Sequence, residues 1–318
     1  MSQDSAWPKD ALSRRRFLRR AARAVAGASL TGVLAGPVSA MDAKRRKGMD
    51  TSAEGHPGRG GRMPAIFVGH GSPMNAIEDN QWSRGFRSLA EHLPRPRVVL
   101  AVSAHWYVPG TFVTGNESPQ TIHDFGGFPG ELYEVRYPAP GDVALARRVV
   151  NLLGEDRAAL RDDWGLDHGT WSVLLHLLPD AATPVVQLSL DERLDPAGHL
   201  KLARALSAMR DEGVLVLASG NITHNLRHAF TSMARGDRST PDWARAFDQD
   251  VARALEQHDP AFLARAAESE QGRLSHPSLD HYLPLLYAAG VSDATDNVRF
   301  PITGFDMGSL SMRAVLLG

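Results

Sequence analysis

The stretch IFVGHGSPM, residues 66–74, runs a short apolar segment into Gly69-His70-Gly71 and then Ser72-Pro73. An apolar run that stops at glycines and a proline reads as a buried strand ending in a turn. The residue standing at that turn is a histidine. Either His70 is a solvated turn residue, or the glycines clear space for an imidazole that must reach a metal or substrate. The second reading places it at the carboxyl end of a strand, where open α/β sheets collect their ligands.

Working outward, the chain from residue 63 alternates short β-branched runs with longer helical patterns. Strands are expected at Ala65–Val68, Val98–Ser103, Thr111–Thr114, Pro184–Leu190, Val214–Ser219 and Leu310–Leu317. Helices are expected near 80–92, 142–153, 170–178, 196–211, 241–256 and 278–289. This alternation predicts an α/β fold: one domain over 63–318, a central and mostly parallel sheet flanked by helices, with the active site at the carboxyl ends of the strands. Gly and Pro cluster at 109–110, 126–130 and 138–141 and predict a long, functional loop.

The segment before the domain has a different character. Residues 1–62 hold 13 Lys+Arg against 5 Asp+Glu, which leaves 22 basic and 31 acidic residues in the body. A mildly acidic body argues against nucleic acid as a partner. Ser13-Arg14-Arg15-Arg16-Phe17-Leu18, an Ala/Gly-rich apolar stretch from Ala21 to Leu34, and Val38-Ser39-Ala40 follow the order of an export signal. The twin arginine resembles the Tat type. Residues 1–40 are therefore expected to be a Tat-type signal peptide, handled by the Tat export machinery in transit, with a periplasmic destination. The apolar stretch is too short to span a bilayer, so no stable membrane anchor is expected. Residues 41–62 lack apolar periodicity and read as a disordered linker.

The chain has no cysteine. Any metal site must then be built from His, Asp or Glu. Thirteen histidines are present, and several stand where strands end. VVLAVSAHW ends a strand in His105, VLVLASGNITHNL runs off a later one into His224, and HPSLDHYLPLL sets His281, with Asp280 beside it, at the start of a helix. Together with His70, these imidazoles would converge along one edge of a parallel sheet, as a metal site requires. Each taken singly is also explained by core packing, capping or exposure. Asp-Phe-Gly at 124–126 matches a kinase signature, but no Gly-rich loop or His-Arg-Asp segment accompanies it. There is no serine-hydrolase elbow and no nucleotide-binding glycine motif.

MPAIFVGHGSPMNAI, SAHW, IHDFGGFPGELYEVRYPAPG, GLDHGTWSVL, SGNITHNL and HPSLDHYLPLLYAAG, in that order and spacing, resemble the DOPA-type class III extradiol ring-cleavage dioxygenases. The resemblance covers 63–318. It implies an enzyme that opens the ring of a catechol, DOPA-like in kind, using O2 and one non-haem divalent metal: Fe(II) for activity, with Zn(II) found in some members. It also implies that His70, His105 and His281 hold the metal, that His224 is either a further ligand or the acid/base, and that His168 lines the pocket. His123, Phe125, Phe128 and Tyr133 are candidates for a wall against the substrate ring, or for ordinary core packing. Gly69 and Gly71 would leave room for the substrate and metal. Asp280 stands where relatives tend to carry Glu, which would shift a hydrogen bond behind a ligand. The alternatives are a zinc-loaded relative with non-redox chemistry and a non-enzymatic metal- or phenol-binding envelope protein.

Overall fold

A computed structural model describes residues 61–318. The expected signal peptide, residues 1–40, and nearly all of the expected linker lie outside the described residues. The linker's last residue, Arg62, is within them: its guanidinium pairs with Asp293 and lies 3.7 Å from Asp211.

The strands are β1 (Ala65–Gly69), β2 (Val98–Val108), β3 (Thr111–Thr114), β4 (Ala158–Arg161), β5 (Val185–Asp191), β6 (Val214–Gly220), β7 (Val298–Ile302), β8 (Phe305–Asp306), β9 (Leu310–Ser311) and β10 (Ala314–Leu317). Eight form one sheet in the order β4-β3-β5-β2-β6-β1-β10-β7, and β8 pairs with β9 apart from it. The centre, β5-β2-β6-β1, is parallel throughout. The pairs β3–β5, β1–β10 and β10–β7 are antiparallel. The expected α/β architecture with a mostly parallel sheet is therefore present.

Side-chain alternation along the strands splits the core in two. Ala65 and Phe67 face one layer with Leu100, Leu188 and Val216, covered by helices Val143–Leu153, Pro196–Ala205, Asp242–Glu256 and Leu283–Gly290. Ile66 and Val68 face the other with Val99 and Leu217, covered by Gln81–Ala90 and His168–Leu177. Burial on both faces is why the central strands read as continuous apolar runs. The helices start on local chemistry. Asn80 and Ser83 form a capping box for Gln81–Ala90, Asp142 caps Val143–Leu153, and Asp167 caps His168–Leu177.

Some expected boundaries move. β2 continues past Ser103 to Val108, because Tyr107 and Val108 regain partners in Leu190 and Asp191 of β5 after an irregularity. His105 thus lies inside a strand rather than at its end. The run expected as one strand over 310–317 breaks at Met312-Arg313, its first part pairing with β8 and its second joining the main sheet. The helix expected over 196–211 ends at Ala205 and gives way to a 3-10 turn, Ser207–Glu212, closed by Gly213 at φ 77°. The helix expected from 278 begins at Leu283, with Pro284 in its first turn, a position its fixed φ and missing N–H allow. His281 therefore sits on the turn before that helix.

Candidate active site

β1 and β2 flank β6; the first imidazole follows the end of β1 and the second lies within β2, level with the end of β6. His70 follows β1 directly, and its N–H donates to the Gly220 carbonyl at the end of β6 (3.0 Å). His105 projects from β2 just past the last pair it makes with β6, Ser103 with Ser219. The third, His281, is held by its backbone: its carbonyl accepts from Asn221 N–H at 2.9 Å. A Cβ at Gly220 would stand 2.2 Å from that carbonyl oxygen, so only glycine lets the His281 turn lie this close to β6. The ring centroids are 5.1 Å (His70–His105), 5.3 Å (His70–His281) and 5.1 Å (His105–His281) apart. One ligand-capable nitrogen from each lies within 4.8 Å of the other two.

Hydrogen bonding behind the rings decides which nitrogen faces inward. Ser219 Oγ donates its one hydrogen to the Gly169 carbonyl (2.5 Å), so toward His70 Nδ1, at 2.9 Å, it can only accept. His70 is then protonated on Nδ1 and carries its lone pair on Nε2. His105 turns Nδ1 to the Asp124 carboxylate, 3.1 Å away, which favours a proton there as well. The two Nε2 atoms meet at 3.2 Å. Two lone pairs facing each other at that distance repel unless a proton or a metal cation lies against both. Donor set and tautomers therefore fit a divalent metal held by His70, His105 and His281, in keeping with imidazole as a ligand for iron and zinc.

The electrostatics favour neutral, lone-pair-bearing rings at His70 and His281. Burial, reinforced by the neighbouring imidazoles, holds His70 well below the ordinary histidine range. Burial likewise lowers His281, against the pull of Asp280. At His105 burial also opposes the charge, but Asp124 outweighs it and the pKa lies above the ordinary value. Asp124 resists its own burial and stays well below the usual carboxylate range because His168 and His105 face it. Asp167, buried and close to Asp124, is pushed up by that burial.

His168 opens helix His168–Leu177, its ring centroid 3.8 Å from that of His105. Asp124 takes its Nδ1 at 2.9 Å and its backbone N–H at 2.9 Å. A second group of potential ligands, His105, Asp124 and His168, also clusters. There, however, the carboxylate is already occupied by imidazole and backbone donors, so this group reads as a hydrogen-bonded support for the first. Gly169 makes the support compact, since a Cβ there would lie 2.9 Å from His105 Cδ2 and 2.5 Å from Ser103 Oγ.

The aromatic residues meet beside His168. Phe125 packs against it at 5.4 Å and against Phe128 at 5.4 Å, Tyr133 at 5.1 Å and His123 at 5.7 Å. His123 Nε2 is 3.1 Å from the Val135 carbonyl, to which it donates. All four of these residues are half-buried rather than enclosed, which favours a wall over ordinary core. His224 takes a different place from the three candidate ligands: its ring lies flat on His281, centroids 3.5 Å apart and planes 3° from parallel. Burial, with His281 next, lowers its pKa well below the usual value. Asp280 keeps its carboxylate 3.3 Å from His281 Nδ1, while Ser278 Oγ donates to it at 2.6 Å.

One sequence reading needs correction. The space around Gly69 and Gly71 belongs to the chain itself. A Cβ at Gly69 would meet the Ser311 carbonyl oxygen at 2.6 Å. At Gly71, with φ 64°, it would meet Met312 Sδ at 2.5 Å. These glycines admit the link between β9 and β10, not a substrate. Sequence reasoning also missed Asp124 and Ser219. Asp124 stood in a motif set aside as kinase-like and within a segment carrying the family resemblance, and Ser219 opened another such segment, but nothing local gave either a role.

Residues 64–307 match the family described as the catalytic LigB subunit of aromatic ring-opening dioxygenase. The chain is 48% identical over 264 residues to a 4,5-DOPA dioxygenase extradiol of Escherichia coli (strain K12), covering 81% of this chain and 95% of that one. A Beta vulgaris protein of the same name is 35% identical over 253 residues, 77% of this chain and 93% of its own length. The crystal structure of an uncharacterized protein from Escherichia coli K12 superposes with a TM-score of 0.71 at 43% identity, covering 81% of this chain and all of that one.

Proposed function

The chain belongs to the LigB family and is an extradiol ring-cleavage dioxygenase, and from that premise we propose that it opens a DOPA-like catechol with O2 on one divalent metal held by His70, His105 and His281. The family works with a non-haem metal, and Fe(II) is the form proposed for turnover. Zn(II) fits the same nitrogens but has no accessible redox change. The observation that carries the reading is the pair of Nε2 atoms of His70 and His105, 3.2 Å apart, with Nδ1 of each ring already facing a partner.

A metal held by His70, His105 and His281 would supply Lewis acidity toward the catechol and a path for electrons from the ring to O2. The chain supplies the rest. Three imidazoles leave positions open that a fourth would crowd, so His224 is assigned as the proton carrier for a catechol hydroxyl. Its ring lies flat on that of His281, centroids 3.5 Å apart, which supports a place beside the metal rather than in its ligand set. His168, with Nδ1 committed to Asp124, keeps Nε2 for a hydrogen bond to substrate or oxygen. Phe125, Phe128 and Tyr133 orient the ring and exclude water from its face, and His123 braces that wall through Val135.

The test is a panel of catechols that differ in side chain, given to the Fe(II)-reconstituted protein and read by mass spectrometry. Ring-opened products two oxygen atoms heavier than substrate, from catechols and not from their O-methyl ethers, support the reading. Their absence across the panel sinks it.

We also propose that residues 1–40 direct export by the Tat route to the periplasm. It is supported by Ser13 to Leu18 and Val38-Ser39-Ala40. Replacing Arg14 and Arg15 together by Lys should leave uncleaved precursor in the cytoplasm, and normal periplasmic accumulation of that variant would refute the route.

A further inference from the structure

Asp124 stands between the two halves of the site. It is a loop residue, neither on the sheet nor on a covering helix, and it directly precedes Phe125, the centre of the aromatic wall. Its Oδ1 accepts the backbone N–H of His168 at 2.9 Å. Its Oδ2 faces two ring nitrogens at once, Nδ1 of His168 at 2.9 Å and Nδ1 of His105 at 3.1 Å. The side chain is about 10% exposed, so little water competes for these contacts. A carboxylate offers acceptors only, and three donors converge on it. A carboxamide has one acceptor oxygen and would turn an NH2 toward at least one of the three donors.

We infer that Asp124 is a positioning residue that holds both His105 and His168 as Nδ1–H tautomers, leaving Nε2 of each as its lone-pair nitrogen, and so ties the aromatic loop to the metal centre. This rests on the proposed ligand set. Each ring has a separate reason to need the tautomer. His105 must present Nε2 beside that of His70 to bind a metal, and His168 must keep Nε2 free for its proposed hydrogen bond to substrate or oxygen. One carboxylate meets both needs. Because it belongs to the same loop as Phe125, a shift of the aromatic wall also moves the group that orients a ligand. Carboxylates behind metal-bound histidines are commonly worth 10–100-fold in metal affinity or activity. Here the carboxylate would support a ligand and a pocket residue together.

The test uses the full chain loaded with Zn(II), a diamagnetic probe, with its histidines labelled with 15N. Multiple-bond proton–nitrogen correlation reads each tautomer, with His105 and His168 assigned by loss of their signals in His105→Gln and His168→Gln. Both rings are expected as Nδ1–H in the parent protein. In Asp124→Asn His168, which no metal fixes, should change to Nε2–H or to a mixture, while His105, held by Zn(II) through Nε2, reports through the Zn(II) dissociation constant, which by chelator competition should rise about 10–100-fold. A parent protein with either ring as Nε2–H overturns the inference, and this arm needs no folded variant. An unchanged His168 tautomer in Asp124→Asn overturns it too, even if metal is lost, since Asp124 would then act by simple packing or as a ligand. Neither readout requires turnover, so a protein inert to every catechol would defeat the functional proposal while leaving this one standing.

Discussion

His70 and His105 each stand two residues beyond a partner of the same serine: Val68 in β1 and Ser103 in β2 both register with Ser219 of β6. Strands on either side of a third lie roughly 10 Å apart. The two rings close that gap over the end of β6, where Ser219 and Gly220 raise no bulky side chain. A near-symmetric pair of imidazoles across one parallel strand follows directly from the sheet order β2-β6-β1.

Replacement of His70, His105 or His281 by Ala should each lower bound metal by ~10-fold or more, since changes merely behind a ligand already cost that much. Metal analysis after anaerobic loading gives the answer. Stoichiometric metal in His70→Ala or His105→Ala would remove the site from this sheet edge.

His224→Gln separates the two roles left open for that residue. As proton carrier, its loss should leave metal content and catechol binding near the parent level while turnover falls ~10²–10⁴-fold. An emptied site would make it a ligand instead, and near-normal turnover with metal in place would defeat both roles.

How much of this was legible in the sequence depended on the length of each signal. The buried central strands announced themselves through unbroken apolar runs, and His70 and His224 through their place after those runs. β4 is four residues long, and β7 contains Pro301, tolerated because β7 is an edge strand; neither carries a clear pattern. The end of β2 was misjudged because its last pairs, with Leu190 and Asp191, come from β5 after a break no local pattern reports. Asp124 was hidden because its partners lie 19 and 44 residues away in sequence, at His105 and His168. The glycines beside His70 were assigned to the wrong neighbour for the same reason, because Ser311 and Met312 reach them from the far end of the chain.

Acid should destabilise the chain through a buried histidine outside the candidate metal site. His199 is buried in the contact between helices Pro196–Ala205 and Leu283–Gly290, 3.1 Å from the Tyr287 hydroxyl, and burial pushes its pKa down to about 4. Between that value and ~6.5 the unfolded chain binds the proton that the folded chain refuses, so stability rises with pH across this window and is flat above it. The contribution lost on acidification is at most about 3 kcal/mol, at ~1.4 kcal/mol per pKa unit. Denaturant unfolding of the metal-free protein from pH 7 to pH 4 should show this decline, less steep in His199→Gln. Equal slopes in the two proteins would show that His199 is not the group being titrated.

The most direct test is oxygen consumption by the anaerobically reconstituted protein. With Fe(II) bound and a catechol added, the account predicts uptake of one O2 per catechol converted to a ring-opened product, no uptake with Zn(II) in the same site, and none from the Fe(II)-treated His70→Ala protein. Uptake that yields only quinone, or equal uptake with His70 and without it, would contradict a ring-cleaving metal centre built on these histidines.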